Sequence, residues 1–422
     1  TALGRACAAD RPMLQEVLPE LFKGYGPYRS SFGQGLAAAA DAPDALWHTV
    51  AEGFRSCGHV NANAALLCGL MAGIIERDPA LGAQLLDECL SDAALRPLIV
   101  YLHPVDGFAA FGFARCLAAL DHPDASAHSY DTFLWSDHHG LTADQSITLM
   151  RRLLAKAHGP AVLIHALAMR LHGKRGENPL SRDECEIGCA AAAMLIGGED
   201  RGSVHQRDYD LAIFLNAALP REIPEQIKQN LVAAVFDMAD HTYGLLPSCE
   251  RAIGAIAKHA PIPFLNRCLT EARGPYSYSF GSGFREQNPF NTIPIGKLVE
   301  WCRMTDGADR WIAVADAISL FNWSANEAEA VLSDAAIGLL EHAPDSAAMV
   351  QAFAENLRPM IWSGSEAEIL RGRRLALTPL ADHANPQVAE AVRKVLRDAE
   401  ELEQRLRESE RQHQRHHEQT FE

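Results

Sequence analysis

Apolar positions recur along most of this chain at the spacing of one helix face. Behind Ser324-x-x-Glu327, a capping-box pattern, Val331, Leu332, Ala335, Ala336, Leu339 and Leu340 fall on one such face. Ala343-Pro344-Asp345 stops that helix. The next buries Val350, Phe353, Ala354 and Leu357 and ends at Pro359. Ser365-x-x-Glu368 opens a third. Asn385 caps a fourth, with Pro386 at its first position and Val388, Val392, Val395 and Leu396 as its inner stripe. Short turns between them predict two antiparallel pairs, with Leu339, Leu340, Phe353, Leu357, Val388, Val392 and Leu396 on one continuous inner stripe. Upstream, Thr142-x-x-Gln145 precedes Ile147, Met150, Leu153 and Leu154, and Ser181-x-x-Glu184 precedes Ile187, Ala191 and Leu195. The strand-like run from Leu98 to Leu102 is isolated between two prolines and reads as helix or irregular structure. From Arg397 to Glu422 the pattern gives way to dense charge of both signs, with Leu402 and Leu406 the last apolar positions. That stretch is expected to form a helix that leaves the body and frays.

Two kinds of repetition overlie this pattern. Gly26-Pro27-Tyr28-Arg29-Ser30-Ser31-Phe32-Gly33-Gln34-Gly35 returns as Gly274-Pro275-Tyr276-Ser277-Tyr278-Ser279-Phe280-Gly281-Ser282-Gly283, seven of ten positions identical, and each copy is followed by a Trp, Trp47 and Trp301. Glycine and proline predict loops here, with positive φ at Gly and the Tyr and Phe rings anchoring the loop on the core. The turns His259-Ala260-Pro261, His342-Ala343-Pro344 and His383-Ala384-Asn385-Pro386 lie 83 and 41 residues apart. A period of about 41 residues is that of HEAT and armadillo helix pairs. The expected fold is therefore all-α, an α-solenoid of HEAT/armadillo-like helix pairs with a charged C-terminal helix. Its expected parts are an N-terminal helical-repeat half (1–196), a C-terminal HEAT-like half (197–396) and a charged helical tail (397–422). Gly173–Pro179, Gly197–Asp208 and Gly274–Pro294 are the expected linkers.

Composition narrows the function. The 422 residues are 48% hydrophobic but only 7% aromatic, rich in Ala and Leu, which favours helix. A net charge of −16 disfavours nucleic acid and anionic membrane surfaces as partners, although a local basic face is compatible with it. Ten cysteines scattered through apolar helical contexts read as reduced, buried thiols of a cytoplasmic protein. No run of 18 apolar residues and no secretory signal is present. The chain begins at Thr1 inside helix-like sequence and is expected to be a piece of a longer protein.

Chemistry-bearing motifs are sparse. No phosphate-binding G-x-x-x-x-G-K-[ST], G-x-G-x-x-G, H-E-x-x-H or G-x-S-x-G pattern occurs, so no nucleotide, cofactor or metal and no catalytic residue is assigned. Asp137-His138-His139 with Asp131 reads as a polar turn, and Cys185 with Cys189 as two structural thiols on one helix face. His413, His416 and His417 sit in the charged tail and read as solvated. Arg371, Arg373 and Arg374 cluster on one helix beside Trp362. They read as a contact for an acidic partner or a nucleic-acid backbone, or as a solvated face paired with Glu366 and Glu368. Aromatics and arginine are the usual interface anchors. The candidate partner-binding residues are accordingly Tyr28, Phe32, Tyr276, Tyr278, Arg285, Trp362, Arg371, Arg373 and Arg374.

One stretch carries a family resemblance. From Trp323 to Glu422 the order is Asn356-Leu357-Arg358-Pro359, then Trp362-Ser363-Gly364-Ser365, the Arg-rich helix, His383-Ala384-Asn385-Pro386-Gln387-Val388 and the charged tail. This resembles the C-terminal HEAT-like regions of large bacterial conflict proteins, which carry signal-transducing NTPase or other effector modules upstream. The section from Gly26 to about His172, with Ser31-Phe32-Gly33-Gln34-Gly35-Leu36 and Leu85-Leu86-Asp87-Glu88, looks like the same class. The resemblance implies a solenoid that senses or docks a protein partner or an upstream effector module in anti-phage defence. It implies no catalytic residue, and it leaves oligomerisation open. Two competing readings remain: a HEAT-like DNA-processing enzyme such as a glycosylase, and an αα-barrel hydrolase with paired carboxylates.

Overall fold

The computed structural model describes residues 1–23, 26, 28–57, 63–103, 112–131, 134, 140–172, 180–198, 201–241, 249–271, 288–323, 330–359 and 363–420. Of these, 79% are helical, with 21 α-helices among the helical segments, so the chain is all-α. By its internal packing it divides into two units, Thr1–Ala191 and Ala192–Glu422.

The first unit holds α1 (Ala2–Ala8), α2 (Arg11–Phe22), α3 (Arg29–Ala39), α4 (Pro43–Ser56), α5 (Ala65–Arg77), α6 (Pro79–Ser91), α7 (Ile99–Leu102), α8 (Phe113–Asp121), α9 (Ala143–Leu154), α10 (Gly159–Leu171) and the start of α11 (Arg182–Gly197). Both upstream capping boxes form as the sequence predicts. Thr142 Oγ1 accepts from the Gln145 amide at 3.2 Å, and the Gln145 side chain accepts from the Thr142 amide at 3.0 Å. Ser181 and Glu184 exchange the same pair of bonds at the head of α11. The run from Leu98 to Leu102 is helical, as expected.

Helices α1, α3, α5 and α7 pack one on the next, and α2 packs on α4. The first copy of the repeated decapeptide corrects the expectation of a loop. Arg29 onward is the helix α3, with Tyr28 at its N-cap, and its glycines serve helix approach rather than turn geometry. Positive φ among the described glycines occurs at Gly140, Gly307 and Gly364, not at Gly33 or Gly35. A Cβ on Gly33 would lie 2.6 Å from the Leu70 backbone nitrogen, and one on Gly35 would strike the Thr1 carbonyl. Facing them, Gly69 lies against the Ser30 carbonyl, and a Cβ on Gly73 would sit 2.6 Å from the Ala37 methyl. Small residues three or four apart let the α3 and α5 backbones touch, as they do in close-packed helix pairs elsewhere. The second copy of the decapeptide lies outside the described residues.

The second unit holds the rest of α11, then α12 (Arg201–Ala218), α13 (Glu225–His241), α14 (Glu250–His259), α15 (Pro261–Leu265), α16 (Ile295–Cys302), α17 (Asp309–Ala317), α18 (Asp334–His342), α19 (Ser346–Glu355), α20 (Glu366–Leu377) and α21 (Pro386–Thr420). Most helices pack on the next one or the next but one along the chain. Thus α13, α15, α16 and α18 pack in series, as do α17, α19 and α21, while α12 lies on α14. The expected linker at Gly197–Asp208 is largely helix, because α12 already begins at Arg201. The helix expected from Ser324 starts later. Phe321–Trp323 and Ala330–Leu332 form a two-stranded antiparallel hairpin that pairs Asn322 with Val331, and Ser333 caps α18. Val331 and Leu332 therefore belong to a strand, and residues 324–329 lie outside the described residues. Leu339, Leu340, Phe353, Leu357, Val388 and Val392 are buried as expected, while Leu396 is half-buried.

The charged tail also departs from expectation. Helix α21 runs without a break from Pro386 and stays docked on α20 well past Arg397. Glu403 is 5% exposed and accepts from Arg374 at 3.1 Å and Arg407 at 2.9 Å. Arg407 also reaches Glu368 at 3.0 Å. One turn on, the Glu410 carboxylate accepts from the Ser365 hydroxyl at 2.8 Å and the Ala367 amide at 3.1 Å, capping α20 from another helix. A carboxylate on a helix N-terminus answers both the orphan amides and the dipole. Burial works against the Glu410 charge, but the bonds from Ser365 and the backbone, with Arg407 nearby, hold its pKa below the ordinary 4.5. A lowered carboxylate pKa contributes stability that is present above the unfolded value and lost as pH falls through the folded one. Acidification below pH 4.5 should accordingly loosen the C-terminal part of α21, read as faster amide exchange there. Glu410→Gln should remove part of that pH step, and exchange in α21 that does not respond to pH would contradict the assignment.

Candidate partner-binding surface

The sequence-nominated residues do not converge on one site. Tyr28 is 79% exposed beside the N-terminus of α3, but Phe32, one turn on, is buried in the core. Tyr276, Tyr278, Arg285 and Trp362 lie outside the described residues. The three arginines of α20 point to different tasks. Arg371 is exposed and pairs with Glu368 at 3.6 Å. Arg374 is committed to buried Glu403. Arg373 donates to the carbonyls of Asn356 at 3.3 Å and Leu357 at 3.2 Å and lies over the Phe321 ring. Burial lowers its pKa below the usual arginine value. The expected pairing with Glu366 is replaced, because Glu366 is taken by Arg358 at 2.6 Å.

The other polar candidates are structural or solvated where they are described. Cys185 and Cys189 are both fully buried, and burial pushes the Cys189 thiol up to about 12, far from a reactive thiolate. His413 is exposed and its Nδ1 lies 2.9 Å from the Ser409 carbonyl. Among the described residues no group of three His, Cys, Asp or Glu side chains is placed to hold a metal.

Two clefts remain. The larger, about 800 Å³, lies between α2 and α4 and includes Lys23, His48, Glu52 and Cys57. Its charges are already answered: Lys23 pairs with Glu20 at 2.6 Å, Glu52 with Arg55 at 2.8 Å, and His48 lies 3.8 Å from Glu88.

The second, about 520 Å³, is built differently. Helix α12 contributes Tyr209, Ala212, Ile213 and Asn216, one face at i, i+3, i+4 and i+7. Helix α14 contributes Arg251, Gly254, Ala255 and Lys258 at the same spacing, with Thr292 behind. The register between the two helices is pinned at both ends. The Asp208 carboxylate accepts from the Ala252 amide at 2.9 Å and the Arg251 amide at 3.3 Å, so that α12 caps α14. Burial, opposed by those two bonds, raises the pKa of Asp208 above its ordinary value. At the far end His259 Nε2 lies 3.2 Å from Asn216 Oδ1. Burial, with Lys258 and Lys228 nearby, lowers the His259 pKa and favours the neutral ring. The floor is small: Gly254 and Ala255 are buried, and the Thr292 hydroxyl donates to the Gly254 carbonyl at 2.8 Å.

The rim carries the charge. Arg251 and Lys258 are exposed, and the Arg251 guanidinium lies 5.7 Å from the centre of the Tyr209 ring, itself 51% exposed. Among the described residues neither cation sits in an ion pair, and no carboxylate lines the cleft. Helical spacing foreshadowed this. Neither Arg251 nor Lys258 has an acidic residue three or four positions away, and the eight-residue segment between and including them is otherwise apolar or small. No known protein family, curated protein or solved structure matches this chain.

Proposed function

We propose that the chain is a recognition scaffold, an array of stacked helix pairs that binds a protein partner, and that the α12–α14 cleft is part of its binding face. Helices that pack largely on near neighbours in the chain are compatible with an α-solenoid, and such arrays present extended surfaces to partners. The observation that carries the reading is the pair of exposed cations, in no salt bridge among the described residues, flanking a small-residue floor, one of them against a half-exposed tyrosine. Arg and Tyr so placed are interface anchors. In the setting suggested by the resemblance to bacterial conflict proteins, the chain would be the sensing part of an anti-phage defence protein.

A DNA-processing enzyme of the HEAT-like kind is the second reading. It needs a continuous cationic groove with an acid beside aromatics. The cleft supports binding over that chemistry, because no carboxylate lines it among the described residues and Asp208 is spent on the cap of α14. Parallel selections on the purified chain separate the two: one from a displayed random-peptide library, one from a random single-stranded DNA library. Enrichment of peptides that compete for one site supports the scaffold. Enrichment of DNA alone, with affinity falling steeply in salt, would favour the nucleic-acid enzyme.

A further inference from the structure

The charge and spacing of the cleft constrain what can fill it. Arg251 and Lys258 are seven residues apart on one straight helix, about 10.5 Å along its axis at 1.5 Å per residue. Both side chains are exposed, and both stand on a chain whose net charge is −16. Between them the surface is formed by Gly254 and Ala255 and, across the cleft, by Ala212 and Ile213. Among the described residues the lining between the two cations is small or aliphatic, which lets a ligand backbone approach closely. An occupant needs negative charge at two points, a slim neutral middle, and an apolar contact for Tyr209.

We infer that the α12–α14 cleft binds an acidic peptide segment in polyproline II conformation, with two carboxylates about 9–10 Å apart, one on Arg251 and one on Lys258. This inference rests on the recognition reading above. In a polyproline II chain, with three residues per turn and about 3.1 Å gained per residue, carboxylates three residues apart lie on one face about 9 Å apart and match the cations. A nucleic acid fits less well. Its affinity grows with the number of phosphates neutralised, and two cations on a strongly acidic chain offer few. The Arg251–Tyr209 pair sets polarity: the guanidinium beside the Tyr209 ring offers a fork of N–H groups to a bidentate carboxylate, whereas Lys258 is a point charge.

The test uses the full chain and a fluorescein-labelled dodecapeptide containing Glu-Ala-Ala-Glu, followed by fluorescence anisotropy. Its partner control carries Gln-Ala-Ala-Gln. The Glu peptide should bind and the Gln peptide should bind at least about tenfold more weakly, since two charge-assisted contacts are lost. The double variant Arg251→Glu, Lys258→Glu should weaken the Glu peptide by about tenfold or more while keeping the parent far-UV circular dichroism and melting temperature, because both side chains are exposed. Arg251→Lys should lose most of the Arg251 contribution if the carboxylate is held bidentately. Equal binding of the Glu peptide to the parent and the double variant would overturn the inference while leaving peptide recognition at another face intact. Binding of labelled oligo-dT with the same dependence on Arg251 and Lys258, in the absence of peptide binding, would overturn both this inference and the protein-partner reading. Failure of every acidic peptide and oligonucleotide to bind would overturn the inference alone.

Discussion

Gly69→Ala should destabilise the first unit by about 2 kcal/mol or more, even though alanine is the better helix former. The intrinsic preference favours the substitution by about 1 kcal/mol in a helix interior. Opposing it, the new methyl would be driven into the Ser30 carbonyl of α3, and the atoms it meets are backbone. Backbone cannot rotate away as a flexible side chain can, so relief requires α3 and α5 to separate. Overpacking of that kind typically costs about 1–3 kcal/mol and occasionally more. Separation would also strip the contacts that Gly33 and Gly73 make across the same seam. The contrast is Gly296 in α16, where an added Cβ meets nothing within 4 Å. Gly296→Ala should therefore be neutral or stabilising by up to about 1 kcal/mol. Urea unfolding of the two variants beside the parent chain measures both. If Gly69→Ala matched Gly296→Ala, the close approach of α3 and α5 would be wrong.

The second large effect is expected at Trp301. Its side chain is fully buried, its indole N–H donates to Asn266 Oδ1 at 2.7 Å, and the Arg310 guanidinium lies 4.4 Å from the ring centre. Arg310 also donates to the Trp301 carbonyl at 2.8 Å, which holds the cation over the ring. Trp301→Ala removes the largest side chain of α16 and should cost about 3–5 kcal/mol. Trp301→Phe keeps most of the apolar volume but leaves the Asn266 oxygen without its indole donor. Its cost should be smaller, of the order of 1–3 kcal/mol. Pairing Trp301→Phe with Asn266→Ala in a double-mutant cycle isolates the hydrogen bond. Full additivity of the two would show that the bond contributes nothing.

What could be read from the sequence was local. The capping boxes at Thr142 and Ser181 form because every atom they need lies within four residues. The buried stripe from Leu339 to Val392 follows in the same way from helical periodicity. Periodicity misled at Val331 and Leu332, which fit the phase of α18 but pair with Phe321 and Asn322 across a hairpin. A three-residue strand is too short to show alternation. Ser333, adjacent to the true first turn, was a cap hidden behind the better-looking Ser324. Glycine misled in the first decapeptide, because the same residue that frees φ in a turn also removes a Cβ between helices. Only tertiary packing distinguishes the two uses. The docking of α21 was hidden because Glu403 and Glu410 look solvated until Arg374 and Ser365 are brought against them. The cleft was overlooked for a related reason. Ala212, Gly254 and Ala255 read as core-facing positions, and the groove exists only once α12 and α14 lie side by side.

The contrast between the acidic bulk and the two cations of the cleft has a kinetic consequence. An acidic peptide approaching from solution meets net repulsion from the chain over a Debye length, about 8 Å at physiological salt and longer at lower salt, before it reaches Arg251 or Lys258. Added salt screens that distant repulsion before it screens the close contact. Association would then speed up with moderate ionic strength, the reverse of ordinary electrostatic steering, while dissociation also quickens. The surrounding acidity would thus act as a filter in time: brief acidic visitors are turned away, and the segments that remain are those able to present charge at the cleft itself.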